Sequence, residues 1–272
     1  MHDMADQPKL PRLGLGTSGM DGVEATEAVA TALDIGYRHI DTAQYYENEA
    51  AVGEGIARAE IPREELFVAT KIWHTNLAHG DVLETARESL DRLGLDYVDL
   101  LYVHWPAGAY EPAETLAAFD ELSDAGVADH VGVSNFTPDL LDEARTHLDA
   151  PIFAHQVECH PLLQQRTLRI YGVGHDIELV AYSPLARGRL LDHPVLAEIG
   201  AKYDATPAQI SLAWLRENGI AAIPKASSEA HLRANYESLT LDLRSEDLDR
   251  IDALDGGDRA IDPEFAPWEG ET

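Results

Sequence analysis

The sequence predicts a single-domain (β/α)8 barrel, the eight-stranded TIM-barrel fold. Short apolar runs of strand length alternate with helical patterns along the chain, and this alternation is typical of a parallel sheet. Eight strands can be assigned, and eight such units close a barrel. The length of 272 residues suits one barrel, and no Gly/Ser-rich linker divides it. We therefore predict one domain over residues 1–272, with an irregular acidic C-terminal tail from about residue 256 that folds over the mouth of the barrel.

Six of the strands are clear, two are weaker, and signals for helix starts lie between them. The predicted strands lie at 12–15, 38–40, 66–70, 98–103, 131–133, 154–157, 179–182 and 221–223. Asp21 followed by Glu24 is typical of a helix start, because an Asp side chain there can accept a hydrogen bond from a first-turn amide. The prolines in predicted first turns are Pro112, Pro138, Pro194 and Pro207. Ser245-Glu246-Asp247 begins the last predicted helix.

The charge of the chain limits its partners. The sequence has 49 Asp and Glu against 20 Lys and Arg, which gives a formal net charge of −29. A polyanionic surface repels phosphate backbones and anionic lipids, so we expect no nucleic-acid or membrane partner. Because 45% of the residues are hydrophobic, the chain is not disordered by composition. We interpret the surface as halophilic, since molar salt shortens the Debye length to roughly 3 Å and screens the self-repulsion.

The single cysteine and the absence of long apolar runs bear on where in the cell the protein is located. Cys159 is the only cysteine, so no disulfide can form within the chain. Residues 1–4 lack the basic and apolar regions of a signal peptide. No apolar stretch approaches the roughly 20 residues that cross a bilayer. We expect a cytoplasmic monomer.

A nucleotide-binding motif of another fold also occurs in the sequence. Gly14-x-Gly16-x-x-Gly19, with Asp41 further along, matches the fingerprint of Rossmann domains. In that motif a strand leads directly into a helix, whereas here the predicted helix begins only after Asp21. Eight predicted strands also exceed a Rossmann core. The barrel is therefore the favoured interpretation.

Two hydrolase interpretations are weaker. His39-x-Asp41 after a strand is a possible start of a metal site, for which the additional ligands would be His104, His155 and His160. There is no His-x-His pair and no cluster at metal-ligand spacing, so we predict no metal. Residues 132–136 lack the second glycine of a nucleophile elbow, which disfavours serine hydrolase chemistry.

Polar residues follow the predicted strands at the end where barrel enzymes carry their active sites. These residues are Asp41, Lys71, His104, Ser134, Asn135 and Gln156. A carboxylate, a lysine and a histidine near a tyrosine suit proton transfer by a phenol. The ammonium of Lys71 would lower a phenol pKa from about 10, while Asp41 would hold Lys71 charged. His104 would position the substrate oxygen.

Seven segments, in order, resemble the signature segments of the aldo-keto reductases. They are GYRHIDTAQYYENE at 36–49, TKIW at 70–73, YVHWP at 102–106, GVSNF at 132–136, HQVECHP at 155–161, AYSPL at 181–185 and IPK at 223–225. The resemblance covers essentially the whole chain and is strongest to small prokaryotic-type members. It implies a (β/α)8 barrel that binds NADP(H) without a Rossmann fold. It also implies reduction of a small aldehyde or ketone to an alcohol by hydride transfer.

The resemblance also assigns roles to individual residues. The matching catalytic tetrad is Asp41, Tyr46, Lys71 and His104, with Tyr46 rather than Tyr45 as general acid because it precedes Glu47-Asn48-Glu49. The matching cofactor-binding residues are Gly16, Thr17, Ser134, Asn135, Gln156, Tyr182, Ser183, Leu185, Gly188, Lys225, His231 and Asn235. Among these, residues 134, 135 and 156 would hold the carboxamide, Tyr182 would stack on the nicotinamide, and residues 183–188 would cover the pyrophosphate. Ser18, Trp73 and Trp105 would line the substrate pocket.

Three positions depart from the family pattern. Ser18 replaces an aromatic residue that is frequent after Gly-Thr and would widen the pocket, and Ala226 replaces a serine. His231 replaces an arginine that commonly contacts the 2′-phosphate of NADP, with Arg233 nearby as a substitute cation. We therefore expect NADPH to be preferred by a narrow margin, with NADH also supporting turnover. The alternative function is a non-catalytic subunit that senses nicotinamide nucleotides on the same fold.

Overall fold

A computed structural model describes residues 10–268 of the chain, so residues 1–9 and the last part of the acidic tail, 269–272, lie outside it. Eight parallel strands form one sheet in chain order, each pairing with the next. The strands are β1 (Leu15–Gly16), β2 (His39–Asp41), β3 (Phe67–Ile72), β4 (Val98–Val103), β5 (Ala128–Ser134), β6 (Ile152–Glu158), β7 (Glu178–Tyr182) and β8 (Ala221–Ala222). The predicted (β/α)8 fold is confirmed.

The sheet closes into a barrel through a short seam between the first and last strands. Leu13 bridges Ala222 in parallel, and the amide of Gly14 donates to the carbonyl of Ala222 at 2.8 Å. Gly16 lies against the carbonyl oxygen of Ile223, and a Cβ at position 16 would meet that oxygen at 2.6 Å. Only glycine permits this approach without movement of the backbone. The seam therefore depends on a glycine that also borders the site.

The helices pack around the barrel, and their starts follow the sequence signals. They are α1 (Gly22–Ile35), α2 (Glu49–Arg58), α3 (His79–Leu93), α4 (Pro112–Asp124), α5 (Pro138–His147), α6 (Arg166–Gly174), α7 (Pro194–Tyr203), α8 (Pro207–Glu217), α9 (Glu229–Glu237) and α10 (Ser245–Asp252). The Asp21 side chain accepts a hydrogen bond from the Glu24 amide at 2.9 Å. All four prolines lie in first turns, as predicted. Two consecutive helices, α7 and α8, separate β7 from β8. Within residues 10–268, none of the helices combines the length and apolarity needed to span a bilayer.

Alternate side chains along each strand point into the barrel, and the inward-pointing residues become polar toward one end. Positions 67, 69 and 71 share one face of β3, because successive side chains along a strand point to opposite faces. The apolar members of this inner face form their own buried cluster, Leu10, Phe67, Ala69, Leu100, Tyr102, Ala154, Val180, Ala221 and Ile223. The inner face then continues in the polar residues Lys71 and Gln156. The barrel is thus filled by apolar side chains below a polar layer.

The strands β3, β5 and β6 are longer than the sequence predicts, whereas β1 and β8 are shorter. Asp41, Lys71 and Ser134 were expected directly after β2, β3 and β5, but all three lie within those strands. Gln156 lies within β6, inside the range predicted for that strand. Lys71 pairs in register with Tyr102, and Gln156 pairs with Val180. Both side chains have polar partners inside the barrel. The hydrogen-bonded pairing of the strands therefore continues past both residues.

Candidate active site

A cavity of about 1100 Å³ opens at the carboxyl ends of the strands. Most of the residues singled out by the sequence line it. They are Gly16, Ser18, Asp41, Tyr46, Trp73, His104, Trp105, Ser134, Asn135, Gln156, Tyr182, Ser183, Leu185, Gly188, Lys225 and His231. Thr17, Lys71 and Asn235 do not line it and are buried instead. The hydroxyl of Thr17 donates to the Asp41 carbonyl at 3.1 Å.

Lys71 and Asp41 form a buried ion pair at the floor of the cavity. The Lys71 ammonium donates to Oδ1 of Asp41 and, at 2.8 Å, to the carbonyl of Thr42. The other oxygen, Oδ2, accepts from Nε2 of Gln156 at 2.7 Å. Burial lowers the pKa of Lys71, but its interactions with Asp41 and Tyr46 outweigh burial and hold that pKa above its ordinary value. Lys71 therefore carries its charge inside the barrel.

Tyr46 is presented to this pair by a 3-10 turn, Gln44–Tyr46, which follows β2. The Lys71 Nζ lies 5.2 Å from the centroid of the Tyr46 ring. Burial raises the pKa of Tyr46, and the lysine opposes this only in part. The net direction is the reverse of the lowering expected from the ammonium alone. Near neutrality the phenol is protonated, which is the form that donates a proton.

The neighbouring Tyr45 is placed differently. Its side chain is 60% exposed and stacks on Trp73 with ring centroids 4.0 Å apart. Of the two adjacent tyrosines, only Tyr46 has an interaction with the lysine. The two tyrosines therefore differ in exposure and in their neighbours.

His104 faces Tyr46 across the cavity. The two rings pack edge to face with centroids 5.8 Å apart. Burial lowers the pKa of His104 well below its ordinary value, and the charges of Lys71 and His74 lower it further. The imidazole is therefore neutral and can hydrogen-bond a carbonyl oxygen without taking the proton.

The residues expected at a carboxamide form a connected layer beside the ion pair. The Ser134 hydroxyl donates to the Gln156 carbonyl at 2.8 Å. Asn135 donates to the His104 carbonyl at 3.0 Å and accepts from the Tyr182 hydroxyl at 2.8 Å. Asn135 has a φ of +65°, a left-handed conformation that asparagine adopts more readily than most residues. Sequence reasoning did not foresee that Gln156 also holds Asp41.

The loop after β7 has an unusual backbone and carries a cation that the sequence analysis missed. Ser183, Ala186 and Arg187 have φ values of 46°, 48° and 53°. Arg187 lines the cavity, and within residues 10–268 its side chain has neither a hydrogen bond nor an ion pair. Across the cavity, Lys225 donates to the Gly19 carbonyl at 2.7 Å. The missed signal is the position of Arg187 between two residues already assigned, Leu185 and Gly188.

The helix after β8 offers fewer cations than the sequence suggested. His231 lines the cavity, with Ala226 and Ser227 beside it. Arg233 does not line it, and its guanidinium donates to Oε1 of Glu229 at 2.7 and 2.9 Å. Arg233 is therefore occupied by its neighbour on α9.

The segment after α10 forms one wall of the cavity. We name residues 256–268 the C-terminal segment; Ile261, Pro263 and Phe265 from it line the cavity. The Phe265 ring lies 5.4 Å from Trp105 and 6.1 Å from Trp73, measured between ring centroids. The sequence predicted an irregular tail at the mouth but none of these contacts, because the segment has no periodic pattern.

The histidines do not assemble into a metal site. Within residues 10–268, no group of three or more His, Cys, Asp or Glu side chains is arranged to hold a metal ion. His155 accepts a hydrogen bond from the Phe136 amide at 3.2 Å, and His160 pairs with Glu158 at 2.9 Å. These two histidines have structural partners instead.

Comparisons with known proteins agree with this geometry. A model of the Aldo/keto reductase family matches residues 12–256. Methylglyoxal reductase DkgB of Escherichia coli O157:H7 is 41% identical over 265 residues, which cover 96% of this chain and 99% of that protein. Glyoxal reductase of Bacillus subtilis is 40% identical over 252 residues, covering 92% of this chain and 91% of that protein. The structure of MGS-M4, an aldo-keto reductase enzyme from a Medee basin deep-sea metagenome library, has a TM-score of 0.91 at 38% identity, covering 95% of this chain and 96% of the other.

Proposed function

The chain belongs to the aldo/keto reductase family, and from that premise we propose that it reduces small aldehydes or ketones to alcohols with a nicotinamide cofactor and Tyr46 as general acid. The observation that carries this proposal is the position of the Tyr46 ring 5.2 Å from the Lys71 ammonium, which is paired with buried Asp41, in a cavity that His104 also lines. Relatives named as reductases agree that the chain is an oxidoreductase.

The residues at the two ends of the cavity suit a nicotinamide nucleotide. Hydrogen-bonding groups of Ser134, Asn135 and Gln156 lie together at the inner end, where a carboxamide would bind. Lys225 and Arg187 contribute cations to the same cavity, and cations suit phosphate oxygens. The cofactor, when bound, supplies a hydride to the carbonyl carbon.

The protein groups then manage the proton and the charge on the substrate oxygen. Neutral His104 orients the carbonyl oxygen by a hydrogen bond, and Tyr46 gives its proton to that oxygen as negative charge develops there. The phenolate left on Tyr46 is stabilised by the Lys71 ammonium. Asp41 keeps that ammonium charged and fixed in position.

We propose α-oxoaldehydes and similar small carbonyl compounds as the substrates. The support is the naming of two relatives as methylglyoxal reductase and glyoxal reductase. The aromatic wall of Trp73, Trp105 and Phe265 suits a small, partly apolar molecule, and Ser18 leaves space beside it.

For the cofactor we propose a modest preference for NADPH, with NADH also used. Lys225 is one cation for the 2′-phosphate, while His231 lacks the five-donor guanidinium fork of an arginine. We further propose a cytoplasmic, salt-adapted monomer, formed by one domain with an irregular acidic tail. The support is the single, buried Cys159 and the net charge of −29.

The test is a panel of aldehydes and ketones with NADPH and NADH in molar KCl, with turnover followed by loss of the reduced nucleotide. Nucleotide binding is measured in parallel by quenching of tryptophan fluorescence. Turnover of small aldehydes supports the proposal. Binding without turnover would indicate the nucleotide-sensing subunit, and absence of binding would contradict both functions.

A further inference from the structure

Glu158 carries a fully buried carboxylate outside the reacting group of residues. It is the last residue of β6 and has no exposed surface. Oε1 accepts from Nε2 of His160 at 2.9 Å and from the Ala260 amide at 2.8 Å. Oε2 accepts from the Ala260 amide at 3.1 Å and the Ile261 amide at 2.9 Å. Both oxygens thus bind backbone amides of the C-terminal segment.

A buried carboxylate is costly unless hydrogen bonds to it are complete. Here the backbone donors come from irregular chain rather than from a helix or strand. Residues 260 and 261 have no ladder or helix to pair with, so Glu158 supplies the acceptors that their amides need. Hydrogen bonds to an ionised acceptor are also stronger than neutral ones. The Glu158 carboxylate therefore supplies acceptors for the amides of the segment, and those amides compensate for the burial of its charge.

The contact with Glu158 lies next to the part of the C-terminal segment that lines the cavity. Before it, the amides of Gly256 and Asp258 donate to the Leu162 carbonyl at 3.2 and 3.0 Å. Directly at and after it come the cavity-lining residues Ile261, Pro263 and Phe265. Glu158 is therefore the anchor nearest to the wall of the substrate pocket.

We propose that Glu158 is a positioning residue that fixes the C-terminal segment as a wall of the pocket and thereby determines affinity for bulkier, apolar carbonyl substrates. It touches neither the reacting atoms nor Tyr46, and it acts through Phe265. The part of this proposal that concerns substrates rests on the proposed carbonyl reduction. The part that concerns the anchor does not.

The anchor is tested without activity by limited trypsin digestion in molar KCl. The Arg259–Ala260 peptide bond lies at the contact, and cleavage there releases residues 260–272, which mass spectrometry identifies.

Glu158→Gln keeps the size of the side chain but sets an NH₂ group against backbone N–H donors. Loss of one charge-assisted hydrogen bond predicts release about tenfold faster or more. Glu264→Gln makes the same chemical change at an exposed position of the segment and is the matched control. Equal release rates in Glu158→Gln and Glu264→Gln would overturn the anchor.

The effect on substrates is tested by a double-mutant cycle on the KM for an aromatic aldehyde. We expect Glu158→Gln and Phe265→Ala each to raise KM about tenfold, with the double variant no worse than either single one. Independent, additive effects, or a fall in kcat without a change in KM, would overturn the positioning role. Ala260→Pro removes the amide on the segment itself, so it gives the same KM test if Glu158→Gln does not fold. Failure of wild type to reduce any aldehyde would refute the proposed function, whereas the digestion would still decide on the anchor.

Discussion

The ammonium of Lys71 and the carboxylate of Asp41 contact each other with side-chain exposures of 0% and 1%. The pair is completed by the Thr42 carbonyl on one side and the Gln156 amide on the other. A buried ion pair of this kind contributes little net stability but is costly to break. Its value to the molecule is a charge that stays in place next to Tyr46.

Lys71→Met should therefore damage both stability and activity. The variant leaves a buried carboxylate unpaired, for which we expect a loss of about 3–5 kcal/mol in the free energy of unfolding. Adding Asp41→Asn should recover much of that stability and none of the activity. Urea denaturation and carbonyl reduction, measured side by side, check this. A double variant as unstable as Lys71→Met would show that the ion pair is not the cause.

Tyr46→Phe should abolish most carbonyl reduction while nucleotide binding is retained. A general acid is typically worth 10²–10⁴-fold in rate, so we expect a loss in that range. Tyr45→Phe is the matched control, since its ring is exposed and stacked on Trp73, and it should change the rate little. Steady-state kinetics and nucleotide titration measure the two properties. A Tyr46→Phe enzyme within a few-fold of wild type would refute the assignment.

His231→Arg should widen the preference for NADPH over NADH. In the wild type we expect the kcat/KM for NADPH to exceed that for NADH by the equivalent of one charge-assisted hydrogen bond, roughly 1.5–3 kcal/mol. High salt should reduce this difference, because it screens the charges that bind the phosphate. Arg233→Gln is the control, because Arg233 is paired with Glu229 and lies off the cavity. Loss of the preference in Arg233→Gln would mean that this arginine leaves Glu229 to bind the phosphate.

The stability of the protein should fall as the pH drops below about 6.5. Burial lowers the pKa of His39 to about 4 and that of His155 to about 3. Both histidines gain protons on unfolding between pH 6.5 and those values, so acid favours the unfolded chain. Each contributes a slope of about 1.4 kcal/mol per pH unit. Urea denaturation between pH 6.5 and 5 should show a shallower slope for His39→Phe, and no change for the exposed His147→Gln. Identical slopes in all three proteins would contradict the assignment to His39.

Molar KCl should raise the melting temperature and the activity relative to dilute buffer. The net charge of −29 repels itself in the compact state, and salt screens that repulsion. Sorbitol at matched osmolarity does not screen charge and should not reproduce the full increase. Calorimetry across a KCl series measures the effect. A flat or falling melting temperature would refute the salt-adapted interpretation.

The sequence predicted the strand order and the polar end of the barrel because both repeat along the chain. It misplaced Asp41, Lys71 and Ser134 just beyond the strand ends, because a polar residue inside a barrel strand resembles the first residue of a loop in the sequence. It predicted Tyr46 as the general acid from its neighbours in sequence, and that role stays a prediction. The role of Glu158 was inaccessible, since its partner Ala260 is 102 positions away and no local pattern links them.

The two sides of the seam between β1 and β8 are synthesised at very different times. During synthesis β1 emerges first of all the strands, whereas its hydrogen-bonding partner at Ala222 is made roughly 200 residues later. Until then the nascent sheet has two open edges, and the entropy of joining the chain ends is lost only at the end. The seam can therefore form only after Ala222 has been synthesised. We expect a side chain at position 16 to lower the yield of folded protein, because its Cβ would meet the Ile223 carbonyl oxygen at 2.6 Å.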